Sequence, residues 1–292
     1  MRMVERTWVR AGSGRRRAGW GATLVLLLCW SGAHAGQPLE TETARLPSRG
    51  QLNLEGVVEF QTSSEGTETA VPLAFEYGVT DWLEVLVEPV LLTDIRPKSG
   101  HGATGLGDLE LTVAGLLVRE RRFLPAIAIA GEVKLPTAES TLITTGETDY
   151  SPFIIASKQF GRLDTHINFG YAILGSPPGV HLDNIYTYAA AAEYHLNERW
   201  DLVAEAVGNT SSSPRSTEPV PPPGETPDTG IGGATGAEAG VSAEAAGAEV
   251  AGLIGGRYYV KPNLFLSLGV IYDNRSAVVL RPGITYAFDL FQ

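Results

Sequence analysis

The sequence predicts an all-β protein, a 12-stranded antiparallel transmembrane β-barrel of the bacterial outer membrane. Three observations carry that expectation: a secretory leader, twelve segments of alternating apolar and polar residues, and connections that alternate short and long. Successive side chains of a strand point to opposite faces, so such a segment shows carbon to lipid and polarity to a lumen.

Taken in order, Arg2, Arg6, Arg10, Arg15, Arg16 and Arg17 precede the apolar run from Ala22 to Trp30, which leads to Ala33-His34-Ala35. Residues 1–35 therefore read as a signal peptide cut near Ala35, and 36–49 as a polar periplasmic stub. No later stretch approaches the roughly 20 apolar residues of a spanning helix. The leader holds six of the 22 basic residues and one of the 33 acidic ones, leaving 16 against 32 and a net charge of −16. Nucleic acid is excluded as a partner, because phosphate binding needs clustered positive charge. The sole cysteine, Cys29, lies in the leader, so the mature chain has no disulfide or thiol chemistry.

The barrel is expected over 50–292, with strands near 50–61, 69–79, 82–93, 106–118, 125–135, 149–160, 163–174, 184–196, 200–208, 249–260, 263–273 and 277–291. In the first, Leu52, Leu54, Val58 and Phe60 oppose Asn53, Glu55 and Glu59; in the last, Leu280, Ile284, Tyr286 and Phe288 oppose Arg281, Thr285 and Asp289. The strands near 83–92 and 264–272 are less regular, since Leu86, Val90, Phe265 and Ile271 put carbon on the polar face. Pro72, Pro89, Pro152 and Pro282 each lack a ladder donor and belong at strand ends or bulges. The tract at 209–248, rich in Pro, Gly, Ala and Glu, reads as a disordered external loop.

Alternation has the same period in a soluble barrel with its faces exchanged. Two features settle the direction. Small residues accompany charge on the polar face, as in Ala128, Ala130 and Glu132 or His166, Asn168 and Gly170. Aromatics gather at strand ends: Tyr77, Trp82, Phe123, Phe160, Tyr194, Trp200 and Tyr259 near short turns, and Phe60, Tyr150, Tyr171, Tyr186 and Tyr272 near long loops. Lysine or arginine turned to lipid at mid-depth costs roughly 2–4 kcal/mol, which fixes the register.

Several blocks resemble the outer-membrane transporter family named for the meta-pathway of phenol degradation. They are Tyr77-Gly78-Val79-Thr80-Asp81-Trp82-Leu83-Glu84, Gly105-Leu106-Gly107-Asp108-Leu109, Lys134-Leu135-Pro136-Thr137, Asn168-Phe169-Gly170-Tyr171 and Gly283-Ile284-Thr285-Tyr286-Ala287-Phe288. The resemblance implies a barrel that passes small, often hydrophobic or aromatic solutes. Outer-membrane barrels usually end on an aromatic residue read by the barrel insertion machinery; here Phe291 is penultimate.

Twelve strands lie between barrels of roughly eight, filled by their own side chains, and roughly sixteen, which keep a channel. The expected pore-lining set is Glu55, Glu59, Glu76, Glu84, Glu88, Asp108, Glu110, Glu132, Lys134, Lys158, Glu193, Glu205, Arg257 and Arg281, of which ten are acidic. Fixed negative charge favours cations in an open pathway, and the four bases have a structural alternative as partners of those acids. His166 and His195 read as polar lumen residues without a nucleophile nearby in sequence, and no histidine pair has metal-ligand spacing. No catalytic residue, metal or cofactor is expected. The expected partners are outer-membrane lipid, a small-molecule solute and the insertion machinery. The leading expectation is a passive channel or uptake porin; its rival is a structural or surface-display barrel with a partner-binding loop.

Overall fold

A strand of alternating character is satisfied only where its two faces meet different surroundings. The computed structural model describes residues 39–179, 181–212 and 248–290, and it arranges them in that way. The expected signal peptide and most of the expected 209–248 loop lie outside the described residues. Fourteen strand segments follow in order: Gln51–Val57 (β1), Glu59–Thr62 (β2), Gly66–Thr80 (β3), Leu83–Pro97 (β4), Ala103–Gly105 (β5), Leu109–Val118 (β6), Ala126–Leu135 (β7), Asp149–Phe160 (β8), Leu163–Ala172 (β9), Ile185–Asn197 (β10), Trp200–Asn209 (β11), Glu249–Lys261 (β12), Leu264–Asp273 (β13) and Val278–Asp289 (β14). β1 and β2 both pair with β3 and β14, and β5 and β6 both pair with β4, so each couple is one interrupted stave. The result is a closed, antiparallel barrel of 12 staves.

Closure runs from Gln51 opposite Asp289 to Val57 opposite Gly283, then resumes with Phe60 opposite Leu280. Proline explains the break. Pro282 accepts the Val58 N–H at 3.0 Å and has none to return. Pro72 marks a register shift between β3 and β4, Pro89 ends the β4–β6 ladder, and Pro152 lies outside the β8–β9 ladder, which begins at Phe153 opposite Gly170. All four fall where a missing donor costs least.

Phe60, Ile129, Ile154, Ile167, Phe169, Ile254, Leu268 and Ile284 are exposed on the outer wall, whereas Asn53, Glu84, Ala128, Asn168, Ala191, Arg257 and Thr285 are buried within. Leu86 and Ile271 are also buried, so the two irregular strands keep the register that parity assigns and turn some carbon inward. Trp82, Phe123, Phe160, Tyr194 and Trp200 stand exposed at the short-turn end, and Phe60, Tyr150, Tyr186 and Tyr272 at the other. Tyr259 departs from that girdle: it is buried, and neighbouring Tyr258 packs on Trp200 with ring centroids 4.8 Å apart.

Loop lengths differ from expectation on one side. β3 and β4 run longer than a bilayer crossing needs, which shrinks the connection before β3 to residues 63–65. The opposite end keeps its tight turns; Gly161 adopts a φ of 65° in the two-residue link between β8 and β9, a conformation that a side chain disfavours. Because Ile284 faces lipid near the middle of β14, Ile284→Arg should lower refolding stability in lipid vesicles by about 2–4 kcal/mol, read from urea-dependent band-shift gels.

Candidate functional site

An extended peptide carries one N–H and one C=O per residue, and each must find a partner wherever water is excluded. Leu39 to Pro47 meets that demand inside the barrel, from mid-depth at Leu39 down to the short-turn rim at Pro47. Glu40, Thr41, Glu42, Thr43 and Ala44 are all buried. This corrects the expected periplasmic stub at 36–49 over its described part. The Leu-Glu-Thr-Glu-Thr alternation there is a strand signal, but no ladder receives it. Side chains of the wall do so instead.

The Glu40 N–H donates to the Glu205 carboxylate at 3.1 Å, and the Thr41 hydroxyl donates to the same group at 2.7 Å. With its amide oriented to satisfy both neighbours, Asn168 accepts from the Glu42 N–H at 2.8 Å and donates to the Glu42 carbonyl at 3.0 Å. The Ala44 N–H donates to Ser157 Oγ at 2.8 Å. Alternate peptide groups are thus held by β11, β9 and β8 in turn. Charge clamps both ends. Arg281 reaches Glu40 at 2.8 Å and Glu59 at 3.0 Å. Arg45 forks onto Asp164 at 2.8 and 2.7 Å and meets Glu120 at 2.6 Å.

Packing explains the small and apolar residues of the inner wall. Leu39 nests among Val203, Leu253, Ile271 and Val279, a burial worth about 1.5–3 kcal/mol. Ala44 lies on Ala114, Ala126, Ala128, Ala130, Phe153 and Ile155. Larger side chains there would occupy the space of the segment. Where the segment leaves the lumen, a Cβ on Gly78 would stand 2.2 Å from the Ser48 carbonyl oxygen, so only glycine fits.

Of the fourteen expected pore-lining residues, thirteen face inward: Glu55, Glu59, Glu76, Glu84, Glu88, Asp108, Glu110, Glu132, Lys134, Glu193, Glu205, Arg257 and Arg281. Lys158 does not. On β8 the inward positions are Asp149, Ser151, Phe153, Ile155 and Ser157, so Lys158 has outward parity. Its ammonium curls around the rim to Glu120 at 2.8 Å and the Arg121 carbonyl at 2.6 Å. The inward bases are neutralised where they stand: Lys134 by Asp149 at 2.8 Å and Asp108 at 3.6 Å, Arg257 by Glu193, and Arg281 by three glutamates. Sequence reasoning missed Glu40, Arg45, Asp164 and Asp201, which share these networks.

Two clusters resemble chemical sites. Glu193, His195 and Asp201 bring potential ligand atoms within 4.8 Å of one another, across a hairpin that sequence spacing hides. The His195 Nδ1 already bonds Asp201 at 2.8 Å and Arg257 already neutralises Glu193, so the donors are engaged. Ser157, opposite His166 in the β8–β9 register, lies 2.8 Å from its Nδ1, with Asp164 3.9 Å beyond Nε2. His166 thus has the nucleophile-type neighbour that sequence did not reveal. Ser157 is fully buried, and its oxygen accepts from Ala44. On the inner wall, a small pocket of about 20 Å³ is lined by Asn53, Glu55, Ala74, Glu76, Leu86, Phe265 and Thr285.

A closed antiparallel barrel with carbon outside, aromatics at both ends and charge within is an outer-membrane barrel of the porin type. The family model described as "Putative MetA-pathway of phenol degradation" matches residues 35–240, and the chain belongs to that family. An outer membrane channel from Pseudomonas putida F1 has a similar structure, with a TM-score of 0.62, 11% identity, and 83% of this chain and 97% of that one covered. The NanC porin superposes with a TM-score of 0.52 and 12% identity, covering 80% of this chain and 98% of that one. No curated protein matches the sequence.

The one cysteine, Cys29, precedes the barrel, so in a chain without residues 1–35 a single Thr41→Cys reports on the lumen segment cleanly. Thr41 is fully buried, and the introduced thiol should resist a charged maleimide in the otherwise native protein. Adding Asn168→Ala or Arg45→Ala should speed labelling about tenfold, since the first removes two neutral hydrogen bonds of about 0.5–1.5 kcal/mol each and the second a charged clamp of about 1.5–3 kcal/mol. Acid should act similarly, but late. Burial raises the Glu120 carboxyl, yet hydrogen bonds from Lys158, Arg45 and the Gln159 N–H outweigh it and hold the group below its ordinary 4.5. A lowered value contributes stability that is complete above 4.5 and lost only as pH falls further. Because thiolate is itself lost in acid, the readout is the labelling rate with Glu120 relative to that of Glu120→Gln at the same pH; this ratio should stay low at pH 5 and approach one as pH falls below 4.5.

Proposed function

We infer that the protein is a passive channel for small solutes, closed in this conformation by its own Leu39–Pro47 segment. The observation that carries the reading is how the segment is held. It is clamped by side chains of β8, β9, β11 and β14 and joins no ladder, so it can leave without breaking the wall. A barrel needing only to be filled has a simpler route, large inward side chains; this one keeps Ala126, Ala128, Ala130, Ala189 and Ala191 small.

The interior retains an excess of carboxylates over bases, which supports cation preference once the path is open. The pocket at Glu55 and Glu76 sets carboxylates beside Ala74, Leu86 and Phe265. Once the segment has left, such a lining would flank a path suited to a solute with an apolar or aromatic body and a hydrogen-bond donor, in keeping with the family's description. No chemical step belongs to this reading, in which Ser157 anchors the segment.

Planar-bilayer recording tests it. Removing residues 37–46 should raise single-channel conductance several-fold over the intact mature protein, with reversal potentials favouring potassium over chloride. Glu84→Gln, Glu110→Gln and Glu132→Gln combined should weaken that preference. Absence of current from the shortened chain, correctly folded by heat-modifiable migration, would leave a structural or display barrel as the better description.

A further inference from the structure

Cations exposed at the two ends of the barrel are distributed unequally. At the short-turn end, which is periplasmic in barrels of this class, Arg49, Arg119, Arg121, Arg122, Arg162, Arg199 and Lys261 are all exposed. The exposed acids there, among the described residues, are Asp81, Glu198 and Asp289; Glu120 is turned onto Arg45 and Lys158. Once half-buried side chains are included at both ends, the long-loop end is the reverse. It carries Arg96, Lys98 and Arg275 against Glu65, Asp94, Glu139, Glu147, Asp183, Glu249 and Asp273, with Arg96 bound to Asp94 at 2.7 Å.

The basic residues are also regularly placed. They occupy the entry to β1 and the turns β6–β7, β8–β9, β10–β11 and β12–β13, so they follow the perimeter and gather on no one side. An outward aromatic stands close to nearly every one. Phe123 follows Arg122, whose guanidinium lies 5.0 Å from the ring centroid. Phe160 precedes Arg162 by two residues, Trp200 follows Arg199, and Tyr258 stands three residues before Lys261. Arg119 donates at 3.0 Å to the carbonyl of Asp81, beside Trp82. Interfacial aromatics settle at headgroup level. Arg121, Arg122, Arg162, Arg199 and Lys261, one to three residues from an aromatic ring, are thereby set at phosphate depth.

We propose that this collar binds anionic phospholipid headgroups of the periplasmic leaflet, ordering a negatively charged lipid shell around the barrel. Its circular distribution argues for a leaflet over an acidic protein, which would meet one face. Fixed height argues the same way, because most of the cations stand close to a ring that itself reads membrane depth. The opposite rim, net acidic among the described residues, has no such shell.

Spin-label electron paramagnetic resonance on the mature protein in phosphatidylcholine vesicles measures the association of labelled phosphatidylglycerol relative to labelled phosphatidylcholine. A preference for phosphatidylglycerol of about fivefold is expected at low salt, the effect of about one cation per bound headgroup, falling as salt screens it. Arg121→Gln, Arg122→Gln, Arg162→Gln, Arg199→Gln and Lys261→Gln together should bring the ratio near one, while lysine in place of the four arginines should preserve it. Equal association of both lipids with the native protein overturns the proposal. So does a preference that is unmoved by salt or by the glutamine set. If the glutamine variant does not insert, the salt dependence of the native protein and the lysine variant decide alone. A native protein that shows no lipid preference but retains a soluble polyglutamate peptide would identify the collar as a protein-binding surface, and would equally overturn it.

Discussion

Every peptide group in the hydrocarbon layer must be hydrogen-bonded within the protein, because lipid supplies no partner and each unpaired group costs several kcal/mol. From that constraint follow the seam between β1 and β14 and the positions of the prolines. At the seam, Gln51 to Val57 pair residue by residue with Asp289 to Gly283, leaving no edge open. Pro282 interrupts the ladder over Val58 and Glu59, and pairing resumes in the same register with Phe60. A proline in mid-ladder is tolerable here because the partner that loses its donor is a single carbonyl.

The same demand, moved inside the wall, shapes the lumen. A second chain segment in a sealed cylinder brings its own N–H and C=O groups, and the cylinder has no free ladder to offer. Side chains of Glu205, Asn168 and Ser157 act as surrogate strands, spaced to meet Glu40, Glu42 and Ala44. Because those contacts come from side chains, the segment is held by a handful of interactions and is separable from the barrel. The charge distribution fits this arrangement: Arg281 and Arg45 bridge segment and wall at opposite ends, and the remaining inward bases are matched within the wall.

The outer surface obeys a different rule. Aromatics at both ends hold the barrel at a fixed depth, and the cations beyond them at one end lie within reach of phosphate. Lys158 belongs to this outer system, although its charge and its place in β8 suggested the lumen. Its parity is opposite to that of buried Ser157, and its long stem carries the ammonium to the rim carbonyls.

Strand count, direction and face assignment were all legible in the chain, because period-two alternation and the cost of charge in lipid act locally, one residue at a time. Boundaries agreed within a few residues, with β3 and β4 extending furthest beyond expectation. Thirteen of the fourteen charged candidates were placed inside by parity alone. What the chain could not disclose was contact between residues distant in sequence. Glu40 meets Glu205 and Arg281, and Ser157 meets both Ala44 and His166, only after the sheet has curled. Alternation in Leu39 to Thr43 says that the segment is extended, while its place in the lumen is decided by the cavity that small residues on β7 to β10 leave at its height. Local periodicity determined the wall; closure of the wall determined what fills it.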